Sequence, residues 1–460
     1  MKQKIMYVLL LLCFYQIPQY ANGVEKNKTC GASIQKDNVM SAAYLKIWNP
    51  EVQAKIDLDI EKNRKANAVL IFDKFTAGTE INIEQISNDF LFGGNIFLYG
   101  NFKNAEKNRK YEDTFGSIFN AATVPFYWKT LEPEKGKPRY KEGSSFEYRR
   151  PAPDPVVAFC ESKGINMNGH AIIYGMRAWG QPTWMPENRG KMEEYFEQHI
   201  RELAERYKGR VQRWDVVNEP TDQANRGMMP DDYTYKCFEW AMKYFPDSVK
   251  LDLNGSDMHW GMDIYRRYLE ILRNLLDRDV RINYIGIEMH IFNPKESTKI
   301  ADGADILTPE KINERLNCMS EAGIPIHVSE VTVSAPDDTE HGKEIQAEIT
   351  KNLYRLWFSH PNVMGITWWN VADGGAAPGE PSFSGIYDKN MNPKPVFYVL
   401  DSLINQSWKT RLNIIVNKNK TEKFLGFKGK YRIIWKDKSN VQHVEEFHLK
   451  NDGDSIKLSN

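Results

Sequence analysis

The chain has 460 residues, in which 61 Lys and Arg balance 61 Asp and Glu, and 41% of the residues are hydrophobic. The balanced charge argues against binding to nucleic acid or to anionic membranes, because both functions need a basic excess on one face. The apolar content and the absence of a polar low-complexity tract exclude a disordered chain. The length is compatible with several domains, or with one long barrel and small additions.

The first 23 residues have the pattern of a secretory signal peptide. A basic start precedes an almost wholly apolar run at 5–17, and the small-residue exit Ala21-Asn-Gly23 follows. The run is too short for a transmembrane helix, and the polar residues at 25–28 disfavour a buried N-terminal helix. We therefore expect residues 1–23 to be cleaved and the protein to be exported, whether secreted, periplasmic or cell-surface, with no transmembrane segment.

A polar connector leads to two strand-like runs, and a regular alternation of strands and helices comes after them. Residues 66–73 and 79–85 are joined by a Gly-containing turn, which predicts a β hairpin in an N-terminal extension at 24–85. Strand-like runs then recur at 90–96, 117–124, 167–174, 211–217, 250–253, 282–292, 324–333 and 363–369. Helical patterns separate or follow them at 153–163, 192–207, 232–245, 265–277, 309–322, 344–359 and 396–404.

The alternation predicts an α/β fold, a (β/α)8 TIM barrel at 86–408, because right-handed parallel units of this number close on themselves. An open doubly wound sheet also alternates. Its nucleotide-binding version needs a glycine-rich phosphate turn after the first strand, which Phe92-Gly-Gly-Asn95 does not supply. Beyond Trp408, the strand-like runs 412–416, 431–435 and 444–449 predict a small C-terminal β appendage at 409–460.

Polar and aromatic side chains gather at the predicted carboxyl ends of the strands, which form the catalytic face of such barrels. They are His170 and Tyr174 on the third strand, Asn218 and Glu219 on the fourth, Glu288 and His290 on the sixth, Glu330 on the seventh, and Trp368 and Trp369 on the eighth. Two carboxylates across one barrel mouth match glycoside hydrolysis. In that reaction one carboxyl group protonates the leaving oxygen while the other attacks or supports the sugar carbon.

Each of these residues also has a purely structural interpretation. A lone histidine is often a hydrogen-bonded core residue, and one of the two adjacent tryptophans is expected to pack inside the barrel. A metal site is the competing chemistry, and its candidate ligands are His170, His290, Glu219 and Glu330. No His-x-His or Glu-x-x-His pair lies on one element, so we predict neither a metal nor another cofactor. The convergence on one rim favours a polysaccharide or oligosaccharide substrate.

Four motifs contain most of these residues, namely Gly169-His170, Trp214-Asp-Val-Val-Asn-Glu-Pro220, Val328-Ser-Glu330 and Gly365-Ile-Thr-Trp-Trp369. They resemble motifs of glycoside hydrolase family 10, the endo-β-1,4-xylanase family. The resemblance covers roughly residues 85–408. It implies a retaining double displacement, with Glu219 as the acid/base and Glu330 as the nucleophile. The substrate-binding residues that it implies are His170, Tyr174, Asn218, Glu288, His290 and Trp369. Among these, Asn218 would hold a sugar 2-hydroxyl.

The sequence departs from the family pattern where the family grips the sugars on the non-reducing side. Family members usually carry a Glu-Asn pair and a Lys before the strand-two Trp, and Ala122-Thr-Val-Pro-Phe-Tyr-Trp128 has none of them. Tyr174 stands where Trp is usual, Gly175 where His is common, and Glu288 where Gln is usual. A second Trp after strand eight is replaced by Gly374-Gly-Ala-Ala-Pro-Gly379. The chemistry is therefore expected to be intact while recognition of plain xylan is altered.

Three functional hypotheses remain open on the sequence. The first is an endo-xylanase or close β-glycanase. The second keeps the same chemistry on a decorated or non-xylan β-glycan, with Tyr127 or Lys129 as candidates to replace the lost sugar contacts. The third is a non-catalytic carbohydrate-binding protein, which the retention of both Glu219 and Glu330 disfavours. We expect a monomer in each case.

Overall fold

The computed structural model describes residues 39–176, 179–221, 228–257, 261–418 and 420–459. The predicted signal peptide lies outside these ranges. The first elements are helices α1 (Ala42–Ile47) and α2 (Pro50–Arg64) and strands β1 (Lys65–Asp73) and β2 (Glu80–Asn88). No helix in the described part of the chain is both long and apolar enough to cross a membrane.

Helices α1 and α2 occupy the stretch predicted as a polar connector, so that prediction is wrong. Asn49 caps α2, because its side chain accepts hydrogen bonds from the Glu51 and Val52 amides ahead of the first helical turn. Only Ile56 and Ile60 of α2 are buried. A helix with so few core residues leaves little apolar periodicity in the sequence, although its cap and its Pro50 at the start are typical helix signals.

Parallel strands form the closed (β/α)8 barrel that the sequence predicts. They are β3 (Leu91–Asn95), β4 (Ala121–Pro125), β5 (Asn166–His170) with its short continuation β6 (Ile173–Tyr174), β7 (Arg213–Asn218), β8 (Lys250–Asp257), β9 (Tyr284–Ile291), β10 (Ile326–Val333) and β11 (Val363–Trp368). β3 pairs with both β4 and β11, and β5 pairs with β7, so the ring closes. Strands β7, β9 and β10 are buried along their whole length, as expected for a barrel covered by helices.

Helices lie between the barrel strands and cover them. They are α3 (Ala105–Ile118), α4 (Trp128–Leu131), α5 (Pro153–Lys163), α6 (Arg189–Tyr207), α7 (Tyr233–Tyr244), α8 (Met262–Leu276), α9 (Pro294–Ala301), α10 (Pro309–Ser320), α11 (Glu340–Ser359) and α12 (Pro395–Asp401), the last continuing as a π-helical turn (Ser402–Ser407). The apolar faces of these helices and the barrel strands share one hydrophobic core, which also contains Trp408 and side chains of α1 and α2.

The chain ends in strands β12 (Arg411–Ile415), β13 (Thr421–Phe427), β14 (Gly429–Lys436), β15 (Gln442–Leu449) and β16 (Asp454–Ser459). They build two small sheets, in the strand orders β13-β1-β16 and β12-β2-β14-β15. A second hydrophobic core, with Leu70, Ile83, Tyr431 and Leu458 among its members, lies between these sheets.

The predicted N-terminal hairpin is therefore wrong, although both of its strands form. β1 pairs with β13 and β16, and β2 pairs with β12 and β14, so each has both edges occupied by C-terminal strands. Strand propensity indicates that a segment is extended and half-buried, but it does not specify which other strand it pairs with. Strands β1 and β2 and the C-terminal strands thus complete one β domain.

Candidate active site

Glu219 follows the last residue of β7 at the carboxyl end of the barrel. Its backbone has a left-handed φ of 50°, which is uncommon for a residue other than glycine, and its amide donates a 2.7 Å hydrogen bond to the Asn254 carbonyl. The Tyr174 hydroxyl donates a 2.6 Å hydrogen bond to Glu219 Oε2. The left-handed turn ends the strand and leaves the carboxylate partly exposed beside Tyr174.

Glu330 lies on β10 and is buried, with 5% of its surface exposed. The Asn254 Nδ2 group donates a 3.1 Å hydrogen bond to Glu330 Oε1. Two imidazoles lie close to the same carboxylate, with His290 Nε2 at 3.4 Å from Oε2 and His170 Nε2 at 3.7 Å from Oε1. The carboxylate is therefore held from three sides.

Asn254, on β8, connects the strand-end residues and was not predicted from the sequence. Besides its contact with Glu330, its Nδ2 lies 2.8 Å from Asn218 Oδ1 and 3.3 Å from Glu288 Oε1, and its Oδ1 accepts a 2.5 Å hydrogen bond from Ser329. The predicted strand ended at 253, four residues before the end of β8, and so left Asn254 out.

Glu288 and His290 lie on β9, facing Glu330. His290 Nε2 is 3.6 Å from Glu288 Oε2, and its Nδ1 is 2.9 Å from the Thr332 hydroxyl. The ring of His290 also stacks on Phe292, with 4.3 Å between centroids. One ligand atom from each of Glu288, His290 and Glu330 lies within 4.8 Å of the others, so these three residues are able to hold a divalent cation as well as a sugar hydroxyl.

His170 lies beneath Glu330 and is almost fully buried. Its Nδ1 is 2.5 Å from Asp215 Oδ2, and its Nε2 is 2.9 Å from the Tyr127 hydroxyl. Burial opposes protonation of the imidazole, but the hydrogen bond to Asp215 and the charge of Glu330 outweigh it and raise the pKa of His170. The imidazole of His170 is therefore protonated more readily than a free imidazole.

Asp215 and Asp252 form a buried acid pair next to His170. Burial raises the pKa of Asp252 well above its usual range, and the charge of Asp215 adds to the effect. The hydrogen bond between the two carboxyl groups raises the pKa of Asp252 further, which fits a protonated Asp252 that donates its proton to Asp215. Burial also opposes ionisation of Asp215, but hydrogen bonds from His170, Asp252 and Asn168 lower its pKa. The pair thus holds one proton and one negative charge.

Aromatic rings line the other side of the barrel mouth. Phe97, Tyr127 and Trp369 form a small buried cluster, with Tyr174 packed against it. The Trp369 ring lies edge-on to His170 at 5.4 Å and to Phe97 at 5.1 Å between centroids. The neighbouring Trp368 instead donates its indole N–H to the Asn370 and Ser384 carbonyls inside the core. Trp369 is therefore the tryptophan that faces the site.

A chain segment at 139–150, here called the wall segment, borders this aromatic cluster. Arg149 is buried, and its Nη1 donates 2.6 Å hydrogen bonds to Asn370 Oδ1 and to the Gly375 carbonyl. The Tyr148 hydroxyl donates to the Gly374 and Ala376 carbonyls at 3.2 and 3.1 Å. The wall segment is thereby fixed to the glycine-rich loop that follows β11.

All eight residues proposed from the sequence lie at the carboxyl ends of the strands and belong to one contact network. They are His170, Tyr174, Asn218, Glu219, Glu288, His290, Glu330 and Trp369. Sequence reasoning missed Asn254 and Asp215, although Asp215 was visible inside the strand-four motif.

Comparisons with known proteins agree with this architecture. A family model described as Glycosyl hydrolase family 10 matches residues 84–402. Endo-1,4-beta-xylanase B of Thermotoga neapolitana is 24% identical over 331 residues, which cover 68% of this chain and 88% of that protein. Beta-1,4-xylanase of Dictyoglomus thermophilum is 25% identical over 319 residues, covering 63% and 83%. The crystal structure of native xylanase 10B from Thermotoga maritima shares the fold, with a TM-score of 0.57, 21% identity and coverage of 69% and 96%.

Proposed function

Because the chain belongs to glycosyl hydrolase family 10, it is a glycosidase, and we propose that it cleaves a β-1,4-linked polysaccharide, xylan in the first instance, by internal attack and with retention of configuration. One observation carries the proposal. Asn254 contacts both carboxylate residues, since its carbonyl accepts from the Glu219 amide and its side chain donates to Glu330. Two acids held by one residue suit a reaction that needs them on either side of a sugar carbon.

In the first step, Glu330 attacks the anomeric carbon while the glycosidic C–O bond breaks. Glu219, protonated at the start, gives its proton to the departing oxygen, so the leaving sugar ends as a neutral alcohol and Glu330 carries the glycosyl ester. Asn254 and His290 keep the Glu330 carboxylate in position for this attack. The Tyr174 hydroxyl stabilises the Glu219 carboxylate that remains, through its 2.6 Å hydrogen bond.

In the second step, Glu219 acts as a base. It removes a proton from water, the water oxygen attacks the anomeric carbon, and the ester bond to Glu330 breaks, which restores both carboxyl groups. Because each step inverts the anomeric carbon, the product keeps the original configuration. Asn218 precedes Glu219 in the chain and accepts a hydrogen bond from Asn254, which also donates to Glu330. We assign to Asn218 the hydrogen bond to the sugar 2-hydroxyl. Trp369 provides the ring against which that sugar packs.

The decisive experiment combines a panel of β-glycans with two variants. The purified protein is assayed on xylans, glucans and mannans, and the anomeric form of the first product is followed by proton NMR. Glu330→Gln is expected to lower kcat about 10⁴-fold or more, because it removes the nucleophile. Glu219→Gln is expected to lower it about 10²- to 10⁴-fold. Glu310→Gln, on the exposed start of α10, is the matched control.

Equal activity of the wild-type protein and Glu330→Gln would overturn this assignment. A product that first forms with inverted configuration would reject double displacement. If the wild-type protein binds glycans without cleaving any of them, the carbohydrate-binding hypothesis is preferred. Cleavage of a β-glycan other than xylan keeps the mechanism and changes the substrate.

A metal-dependent hydrolase is the second candidate, because Glu288, His290 and Glu330 have the donor atoms of a cation site. The proposed mechanism requires no metal, so prolonged treatment with EDTA followed by gel filtration is expected to leave kcat unchanged. Loss of activity on chelation, with recovery on addition of one particular divalent cation, would instead support the metal-dependent reaction. Circular dichroism is recorded on the same EDTA-treated preparation that is assayed, so that a loss of activity caused by unfolding is recognised.

The N-terminal pattern at residues 1–23 supports export as part of the proposal. Expression of the full chain followed by N-terminal sequencing of the protein found outside the cytoplasm tests it. A mature N-terminus near residue 24 is expected. Retention of the intact N-terminus in the cytoplasm would contradict export.

A further inference from the structure

The two adjacent arginines at the end of the wall segment have different environments. Arg149 Nη1 is 3.7 Å from Glu380 Oε2 and donates to Asn370 and to the Gly375 carbonyl, so the charge of Arg149 has a carboxylate partner. Arg150 donates from Nη1 to the Arg149 carbonyl at 2.9 Å. In the part of the chain that the structure describes, no carboxylate forms an ion pair with Arg150. Most of its N–H groups are therefore left for another partner.

Arg150 lies directly beside the catalytic residues. Its guanidinium carbon is 3.8 Å from the centroid of the Tyr127 ring and 4.9 Å from that of Phe97. The hydroxyl of the same Tyr127 is 2.9 Å from His170 Nε2, and the Tyr127 and Tyr174 rings lie 6.4 Å apart. A single aromatic ring thus separates the cation from His170 and from the tyrosine that contacts Glu219.

The side chain of Arg150 is half-buried, which removes part of its hydration. Burial, with a smaller contribution from the charge of Arg149, lowers the pKa of Arg150 to about 10, so the group stays charged at neutral pH. The contact with the face of the Tyr127 ring restricts the guanidinium and orders it before a ligand arrives. A fixed, partly dehydrated cation favours an anion that accepts two parallel hydrogen bonds, namely a carboxylate or an oxyanion ester.

We propose that Arg150 binds an anionic group on the glycan, a uronic acid carboxylate or a sulfate ester, carried on the sugars next to the cleaved bond on the Tyr127 side. This inference rests on the proposed glycosidase function and names the substrate class of that same site. Neutral sugar hydroxyls hydrogen-bond to amides and imidazoles, which this site already contains, and they do not compensate a dehydrated positive charge. An acidic β-glycan does so.

The test compares oligosaccharides that differ only in charge. One is a xylo-oligosaccharide with glucuronic acid side groups, used as a mixture of positional isomers, and its partner is the same material after reduction of the carboxyl group to an alcohol. A sulfated β-glycan oligosaccharide and its desulfated form make the second pair. We expect kcat/KM to be about 10- to 100-fold higher for the charged member of at least one pair. The pair that shows the preference identifies the anion.

Three variants separate recognition from packing. Arg150→Met keeps the aliphatic stem and is expected to lower the charged-to-neutral ratio of kcat/KM about tenfold or more, mainly through KM. Arg150→Lys keeps the charge without the planar fork and is expected to restore part of the ratio. Lys141→Met removes an exposed cation from the same wall segment and is expected to leave the ratio at the wild-type value.

A ratio near one in the wild-type protein for both pairs overturns the inference, as does a ratio that Arg150→Met leaves unchanged. A variant that slows charged and neutral substrates equally shows that Arg150 only packs. If no glycan is cleaved, the proposed function fails first. Calorimetric binding of the same pairs to Glu330→Gln then still decides the role of Arg150, because charge preference in binding does not require turnover.

Discussion

The site has two halves of different construction, namely the strand-end residues around Asn254 and the wall segment at 139–150. The first half contains Glu219 at the end of β7, Asn254 on β8 and Glu330 on β10. Hydrogen bonds between the strands hold these residues in place. In the second half, Arg149 is held by carbonyls and side chains of another loop. We therefore propose that the barrel determines the chemistry and that the loops determine which sugars reach it.

The halves also differ in how their charges are balanced. The strand-end half has internal partners for its charges, since hydrogen bonds link His170 to Asp215 and Asp215 to Asp252 within the core. In the wall segment, by contrast, Arg150 forms no ion pair with a described carboxylate, and we propose that its charge is balanced by the substrate. Changes of pH are therefore expected to act mainly through the strand ends, and added salt mainly through Arg150, because screening is weak for buried groups and strong for accessible ones.

The largest effect is expected when the strand-end network loses its central residue. Asn254→Ala removes the donor to Glu330, Glu288 and Asn218 at once, and we expect kcat to fall about 100-fold on every substrate. Asn352→Ala is the matched control, because it removes another buried amide, one that donates to Tyr44 at 2.9 Å far along α11. Steady-state kinetics on charged and neutral glycans provide the measurement.

A loss of kcat in Asn352→Ala as large as in Asn254→Ala would mean that general destabilisation explains both. If Asn254→Ala changed KM for charged glycans only or for neutral glycans only, the strand-end half would also determine recognition. The distinction between the two halves would then be lost. Both variants are checked by thermal unfolding, since deleting a buried amide costs about 1–3 kcal/mol of stability.

The strand-end half was largely predictable from the sequence, because its residues sit at fixed places relative to periodic elements. The motif at Trp214 to Pro220 predicts a buried strand with Glu219 at its end, and this position follows from β7 alone. Asn254 was missed because its importance depends on the register between β7 and β8, in which Asn218 is paired with Asn254. Register is a property of two strands, and a single strand's pattern does not contain it.

The wall segment and the β domain were less predictable for the same reason. The sequence shows that strand two lacks the usual sugar contacts, but it does not show that Arg150 stacks on Tyr127 from a loop more than twenty residues later. Likewise, β1 and β2 are clear strands whose partners come from the last fifty residues of the chain. Long-range pairing of irregular segments is decided by tertiary packing.

An intermediate effect is expected from loosening the wall segment. Arg149→Met leaves Glu380 and Asn370 without their cation, and we expect the free energy of unfolding to fall by about 2–3 kcal/mol. KM should rise about tenfold while kcat changes less, because the strand-end half keeps its contacts. Denaturant unfolding and steady-state kinetics measure the two effects. A fall in kcat comparable to that of Asn254→Ala would show that the halves do not act separately.

The smallest effect concerns the buried proton of the strand-end half. The pKa of Asp252 is higher in the folded than in the unfolded protein. Above an unfolded carboxyl pKa of about 4, the folded state therefore holds a proton that the unfolded state has lost, and stability falls as the pH rises through the folded pKa. In Asp252→Asn, the side-chain amide donates an N–H to Asp215 at every pH, because the amide does not titrate.

We therefore expect Asp252→Asn and the wild-type protein to melt at similar temperatures near pH 4 and to diverge as the pH rises. At pH 8 the variant should melt about 2–4 °C higher. The raised pKa of His170 causes a further loss of stability above about pH 6.5, but it is common to both proteins. Parallel melting curves at every pH would show that Asp252 is ionised in the folded protein, and the pH dependence would then have to come from other groups, His170 among them.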